Sequence, residues 1–163
     1  MAYRQAYSKT KTGVIEVKDI PAASVMEASG VSGSSYFKDR GGSSPFMKLF
    51  RYIQSNNIPM TTPVEVNPDA NNMRFYSDSN SRQMSETTEV AVKQLPARTV
   101  LSIGITGSYS QENFDKAQKK LLDFLSKNSQ YEVIEEAYAV YWDGPYKPFF
   151  LKHAEVHIPI LKK

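Results

Sequence analysis

The sequence predicts an α+β fold made of two similar halves, each with the order strand, strand, helix, strand, strand. Three observations support this fold: an internal repeat, two segments with helical spacing of apolar residues, and several short apolar runs bounded by proline, glycine or asparagine. We expect the halves to form a distorted β-barrel or paired, twisted antiparallel sheets flanked by two helices. Residues 1–163 then form a single domain, with the first half at about 12–78 and the second at about 88–161.

The repeat consists of three pairs of matching segments about 75 positions apart. Two copies at so long a spacing do not suit a solenoid, which stacks several short units. Two halves of this size more naturally close around one core, and the seam between them is a natural place for a ligand cleft. The matching segments are Val17–Ala22 with Val92–Ala97, Ser24–Met26 with Thr99–Leu101, and Gly30–Ser34 with Gly104–Ser108.

The first half begins with two apolar runs, at residues 14–18 and 24–28, that predict strands on either side of Pro21. A loop rich in glycine and serine follows over residues 30–44 and is expected to border a site. A helix should then begin at Ser44, because serine caps helices and proline is favoured at the first helical position. Its apolar stripe is Phe46, Leu49, Phe50 and Ile53, it ends at Asn56-Asn57, and strands follow at Met60–Val66 and Met73–Ser77.

The second half repeats this order after a polar, serine-rich linker over residues 78–88. Ser110 predicts the start of the second helix, and Glu112 in its first turn suits the positive end of the helix dipole. The helix should turn Phe114, Ala117, Leu121, Phe124 and Leu125 inward. The strands are predicted at Glu89–Gln94, Thr99–Thr106, Tyr131–Trp142 and Ala154–Leu161.

Composition excludes several classes of function. There are no cysteines, so disulfides, thiolate metal sites and cysteine nucleophiles are excluded. The net charge of +3 is scattered rather than concentrated in one patch, which argues against nucleic-acid binding. No stretch approaches the roughly 20 apolar residues of a membrane span, and residues 1–11 lack the apolar core of a signal peptide. We therefore expect a soluble cytoplasmic chain, or an organellar one if a transit peptide has been removed.

The sequence contains no recognisable catalytic or phosphate-binding motif. His153 and His157 are the only histidines, and the alternation of residues 154–160 predicts a strand rather than a helix, with Glu155 and His157 on one face and His153 at or before its start. They are expected to be surface or hydrogen-bonded side chains, with iron or metal ligation by one of them as the alternative. Of Glu135 and Glu136, at most one can face a cleft, because neighbours on a strand point to opposite faces.

Aromatic residues are concentrated near residue 143, around a turn signalled by an Asp-Gly-Pro sequence. So much ring surface either packs in the core or forms an apolar slot for a flat ligand, with lysines meeting its negative edge. Both alternatives are open from the sequence. The aromatic residues are Tyr138, Tyr141, Trp142, Tyr146, Phe149 and Phe150, and the lysines among them are Lys147 and Lys152.

Two blocks resemble the SOUL / p22 haem-binding protein family. The first, residues 46–64, is a helix running into the strand sequence Ile-Pro-Met-Thr-Thr-Pro-Val, and the second, residues 141–156, carries Tyr-Trp-Asp-Gly-Pro-Tyr-Lys-Pro. The resemblance covers about 150 residues. It implies noncovalent binding of haem or another tetrapyrrole in an apolar cleft between the first helix and the late aromatic loop.

The resemblance also implies particular roles for five residues. Arg51 and Lys147 would pair with the propionates, because carboxylates favour cationic partners. Phe50, Ile53 and Tyr146 would cover the faces of the ring.

The iron ligand is less defined. Some members of the family use a histidine in the first half, and this chain has none there. The candidate ligands are His153, His157 and Tyr141, or the iron has no strong axial ligand.

The expected function is therefore a small carrier or buffer for haem or another tetrapyrrole. A wider resemblance to GyrI-like domains offers an alternative, a small-molecule sensor or hydrolase that uses a cleft carboxylate, for which Glu135 or Glu136 is the candidate. A third alternative is a module that binds a protein partner through an exposed aromatic loop. The sequence leaves the protein partners unidentified.

Overall fold

The structure is a computed structural model that describes residues 4–30, 35–37, 44–56, 61–76, 87–143, 148 and 151–163. The described part of the chain contains two helices and eleven strands. In chain order these are β1 (Arg4–Gln5), β2 (Ile15–Ile20), β3 (Ala23–Ser29), α1 (Pro45–Asn56), β4 (Thr61–Thr62), β5 (Val64–Asn67), β6 (Asn72–Tyr76), β7 (Ala91–Leu95), β8 (Arg98–Thr106), α2 (Gln111–Ser126), β9 (Tyr131–Val133), β10 (Tyr138–Tyr141) and β11 (His153–Lys162).

The chain divides into two compact units. The first unit comprises Met1–Ala6 and Ala22–Pro96, and the second comprises Tyr7–Pro21 and Ala97–Lys163. In the first unit, the strands form an antiparallel sheet in the order β7-β3-β6-β5, α1 packs on β3 and β6, and β1 pairs in parallel with β4.

The second unit has the same plan. Its antiparallel sheet has the order β2-β8-β11-β10, and β9 pairs with the far end of β11. The helix α2 packs on β8 and β11. The predicted α+β class, the antiparallel strands and the single helix in each half are confirmed.

In each sequence repeat, the first strand belongs to one unit and the following strands and helix belong to the other. The strand β2 pairs with β8, and β7 pairs with β3. The linkers between consecutive strands are only Pro21-Ala22 and Pro96-Ala97. A two-residue hairpin needs positive φ at its first central residue, which proline cannot adopt. The chain therefore cannot turn back at these points, and the strands on either side pair elsewhere.

Two predicted strands are each divided in two: Met60–Val66 gives β4 and β5, and residues 131–142 give β9 and β10 with an irregular stretch between them. Val133 pairs with Ile160, and Tyr138 pairs with His157. Between these two pairs, the chain takes five residue steps from Val133 to Tyr138, whereas β11 takes only three from Ile160 to His157. The excess residues cannot all stay in the ladder: the backbone N–H of Ile134 still donates to the Pro159 carbonyl, and Glu135 and Glu136 beyond it lie exposed.

The start of α2 follows the sequence expectation closely. The Ser110 side chain accepts a hydrogen bond from the backbone N–H of Asn113, at 3.2 Å. Phe114, Ala117 and Leu121 are buried against the sheet. The remaining two predicted core positions of the helix, Phe124 and Leu125, are only half-buried.

Candidate functional site

The helix α1, in the first unit, carries three of the residues expected to bind the ligand, which are Phe50, Arg51 and Ile53. Ser44 caps it: its side-chain oxygen accepts from the backbone N–H of Met47 at 3.3 Å, and Pro45 occupies the first helical position. Leu49 and Tyr52 are the buried side chains that fasten the helix to its unit. The predicted start and end of this helix are confirmed.

The predicted apolar stripe of α1 is only partly buried. Phe46 and Phe50 are 46% and 44% exposed, and their rings stack at 6.0 Å with an interplanar angle of 13°. Ile53 is half-buried. Two large, stacked rings on the surface are costly in water and are typical of a surface that another molecule covers. We call Phe46, Phe50 and Ile53 the α1 face, and Arg51, the residue after Phe50, lies about 100° further around the helix.

Arg51 lies next to this aromatic pair along the helix. Its guanidinium donates to both carboxylate oxygens of Glu89, each at 3.1 Å. Both side chains are 44% exposed. An ion pair so accessible to water contributes little, in the range of about 0–1 kcal/mol, so a second carboxylate can compete for Arg51 at small cost.

Tyr146 and Lys147, the predicted residues of the aromatic loop, lie outside the described residues, as do Phe149 and Phe150. The described aromatic residues of that cluster, Tyr138, Tyr141 and Trp142, are buried.

The second unit holds a buried carboxylate, Glu155 on β11, which is 0% exposed. Its Oε1 accepts from the Lys18 ammonium at 2.8 Å, from His157 Nε2 at 2.8 Å and from the Ser102 hydroxyl at 3.0 Å. Its Oε2 accepts from Trp142 Nε1 at 2.6 Å and from the Thr10 backbone N–H at 2.9 Å. We call these six residues the Glu155 cluster.

The cluster is assembled from four segments of the second unit. Lys18 reaches Glu155 from the edge strand β2, and its ammonium also donates to the Ser8 carbonyl at 2.7 Å. Ser102 lies on the neighbouring strand β8. Because an ionised carboxylate can only accept hydrogen bonds, the Nε2 atom of His157 must carry a hydrogen. The cluster therefore directs five donors at one carboxylate.

Burial and hydrogen bonding act in opposite directions on Glu155. Burial alone would raise the pKa of its carboxyl group, since removal from water disfavours the charge. The hydrogen bond and charge of His157, together with hydrogen bonds from Lys18 and the Thr10 backbone, outweigh burial and lower the pKa from 4.5 to about 2. Glu155 is therefore ionised in the folded protein at neutral pH.

This lowered pKa predicts a loss of stability in acid. The unfolded chain takes up a proton near the ordinary pKa of 4.5, whereas the folded chain resists protonation until about pH 2. The stabilisation from Glu155 is thus complete above about pH 4.5 and is lost as the pH falls through about 2, to a total of about 3 kcal/mol.

The measurement is urea unfolding at a series of pH values, followed by the fluorescence of Trp142. The chain should lose about 3 kcal/mol more between pH 5 and pH 2 than a Glu155→Gln variant does. Equal losses in the two proteins would show that another carboxyl group is responsible.

The three candidate iron ligands all lie in the second unit. Both ring nitrogens of buried His157 are engaged, Nδ1 with the Tyr138 hydroxyl at 3.1 Å and Nε2 with Glu155. The partly buried His153 places Nε2 at 2.7 Å from the Thr10 carbonyl oxygen. Tyr141 is 9% exposed and stacks on Tyr109 at 3.9 Å. That one of these three residues ligates the iron stays a prediction.

The predicted cleft carboxylates are exposed. Glu135 and Glu136 lie in the irregular stretch between β9 and β10. The buried carboxylates among the described residues are Glu155 and Glu65. In the first unit, Glu65 accepts from the Arg74 guanidinium and from the Tyr76 hydroxyl. Each buried carboxylate thus already has a cationic side chain beside it.

Sequence reasoning placed Glu155 and His157 on one face of a strand and expected surface or hydrogen-bonded histidines, and His157 is hydrogen-bonded and buried. It missed Lys18, whose partner is 137 positions away. Lys18 lies between Val17 and Asp19 on a short strand, a pattern that gives no signal of burial, since lysine on a sheet edge normally meets water. No spacing rule identifies its partner.

The described residues contain no group of three or more histidine, aspartate or glutamate side chains able to hold a metal ion. Neither of the described helices is long and apolar enough to cross a membrane.

The sequence profile of the family described as "SOUL heme-binding protein" matches residues 2–159. A comparison with curated proteins finds no match.

Solved structures share the fold at low sequence identity. The EcmrR C-terminal domain is 16% identical with a TM-score of 0.67, and the match covers 92% of this chain and 98% of that one. A hydrolase from Listeria innocua is 9% identical with a TM-score of 0.64, covering 93% and 94%. SAV2435 bound to tetraphenylphosphonium is 6% identical with a TM-score of 0.52, covering 91% and 94%.

Proposed function

Since the chain belongs to the SOUL heme-binding protein family, we propose that it binds haem or another tetrapyrrole noncovalently and acts as a carrier or buffer for it. The observation that carries the proposed location is the α1 face, where the stacked rings of Phe46 and Phe50 are left exposed, with the exposed Arg51 as the next residue of the helix. The structural neighbours support a small-molecule-binding fold of the GyrI-like type.

The residues of the α1 face fit a tetrapyrrole. The exposed rings of Phe46 and Phe50 offer a flat apolar surface that a macrocycle would remove from water. Ile53, half-buried one turn further along the helix, extends the same apolar surface. Haem supplies a planar apolar ring with two anionic propionates, so it needs an apolar surface with a cation at its edge.

Arg51 supplies the cation. A propionate would take the place of the Glu89 carboxylate, forming a bidentate pair with the guanidinium. The family resemblance assigns Lys147 the same role and Tyr146 a role in covering the ring. With no cysteine in the chain, thioether attachment of haem has no chemical basis, so the binding we propose is noncovalent. We assign no axial ligand to the iron.

Titrating the purified chain with hemin tests the proposal. We expect a saturable shift of the Soret band with one site per chain at micromolar hemin. A Phe50→Asp variant should bind hemin at least about tenfold more weakly, because it places a charge where the ring would lie. Since Phe50 is 44% exposed, this variant should fold as well as the parent.

Charge variants test whether the site lies on α1. Arg51→Glu combined with Lys147→Glu should weaken hemin binding, and Glu89→Gln should strengthen it by releasing Arg51 from its ion pair. Lys119→Glu, on the exposed surface of α2, is the matched control for charge alone. Saturable hemin binding whose affinity is the same in all of these α1 variants would refute the location of the site on α1 but not haem binding itself. The absence of any Soret shift would refute haem binding itself.

A further inference from the structure

A groove of about 560 Å³ lies within the second unit, beside α2. Ile15 from β2, together with Ile103 and Ile105 from β8, lines one side, and Phe124 of α2 lines the other. This volume lies within the roughly 300–1,000 Å³ that is usual for small-molecule sites. None of these residues belongs to the α1 face or to the Glu155 cluster.

The groove exists because α2 does not cover the whole sheet of its unit. The helix packs on β8 and β11, and β2 is the edge strand beyond β8. Leu101 and Ile103 on β8 are 0% and 3% exposed, whereas Val17, which pairs with Leu101 on β2, is 44% exposed. The apolar side chains of β2 on this face, half-buried Ile15 and exposed Val17, therefore remain in contact with water.

The helical side of the groove is charged. Lys120, Asp123 and Lys127 line it, and their spacing of three and four residues places them along one face of α2. All three side chains are exposed. Within the described part of the chain, none of them makes an ion pair, whereas Lys116 on the same helix pairs with Glu112. The groove thus offers two lysines and one carboxylate, Asp123, and so carries one net positive charge on its helical side.

We propose that this groove is a second binding site, for a small amphipathic organic anion, distinct from the tetrapyrrole site on α1. The apolar body of such a ligand lies on the half-buried side chains of Ile15, Ile105 and Phe124, and its anionic group meets Lys120 or Lys127. Charge complementarity selects an anion over a cation, because two lysines outnumber the single Asp123 on this side.

The probe is 1-anilinonaphthalene-8-sulfonate, which has an apolar body and one sulfonate and fluoresces when removed from water. The full chain should give a saturable fluorescence increase. The double variant Lys120→Glu and Lys127→Glu should weaken binding about tenfold, and Asp123→Asn should strengthen it about twofold to threefold. All three positions are exposed, so the variants should unfold at the same urea concentration as the parent.

Two controls decide whether the groove is the site. Lys119→Glu changes the charge of the same helix outside the groove and should leave probe affinity within about twofold, because consecutive helix positions do not share a face and Lys119 does not line the groove. Hemin affinity, measured separately by absorbance, should be unchanged by the Lys120 and Lys127 substitutions. This comparison separates the groove from the α1 face, since each site has its own ligand and variants.

Three results would overturn the inference. The first is no saturable probe binding by the full chain. The second is a loss of affinity in Lys119→Glu as large as that in the double variant, which would mean that the probe follows net charge. The third is a parallel loss of hemin and probe affinity in the double variant, which would make the groove the tetrapyrrole site.

Discussion

Replacing Glu155 with glutamine should lower the free energy of unfolding by about 3–5 kcal/mol, because removing one partner of a buried ion pair leaves the other charge uncompensated. The buried ammonium of Lys18 would lose its carboxylate. The amide of glutamine also brings donors of its own to a place where Trp142, Ser102 and His157 already donate. The measurement is urea unfolding at neutral pH, followed by circular dichroism.

A double variant distinguishes charge pairing from the other hydrogen bonds. Glu155→Gln combined with Lys18→Met removes both charges, and we expect it to recover part of the loss, since replacing a whole buried pair is far less costly than breaking it. Glu135→Gln is the matched control, because that glutamate is exposed, and it should change stability by less than about 0.5 kcal/mol. A Glu155→Gln variant as stable as the control would mean that the cluster contributes little to folding.

Replacing Gly104 with alanine should destabilise the chain by about 3 kcal/mol, at the upper end of the usual cost of overpacking. An added Cβ at this position would overlap the backbone carbonyl oxygens of Thr10 and Lys11. Backbone cannot rotate away as a side chain can. The segment before β2 would have to move off β8, and the Thr10 N–H would lose Glu155.

The comparison with Gly13→Ala separates this overlap from an effect of backbone conformation. Gly13 has a φ of 80° but no atom within 4 Å of an added Cβ. Its substitution should cost about 1–2 kcal/mol from the left-handed conformation alone. Unfolding in urea, with Trp142 fluorescence as a report on the Glu155 cluster, gives both values. A smaller loss for Gly104→Ala than for Gly13→Ala would show that the segment moves without cost.

The helices were the most predictable parts of the fold. The cap at Ser110 and the start at Pro45 depend on hydrogen bonds and dihedral angles within a few residues, so the local sequence contains all that decides them. The broken strand over 131–142 was not predictable in this way. Its break arises from two different registers against β11, and only the partner strand sets those registers.

The sequence predicted which residues the candidate site contains but not whether their side chains are buried or exposed. The position of Phe50 on α1 followed from helical periodicity, yet its exposure depends on how far the helix is rotated on its sheet. Glu155 and His157 were correctly placed on one face of a strand. Their burial follows from the central place of β11 between β8 and β10, which no local pattern specifies.

The sequence by itself determined the α+β class, the repeat, the helix boundaries and the family, because each depends on local periodicity, capping or a contiguous motif. The tertiary structure decided which strand joins which unit, that Lys18 neutralises a carboxylate 137 residues away, and that α2 leaves a groove beside β2. These features depend on strand order and on the packing of segments far apart in the chain. Sequence patterns describe faces and ends of elements, and the contacts between distant elements are fixed only when the sheet forms.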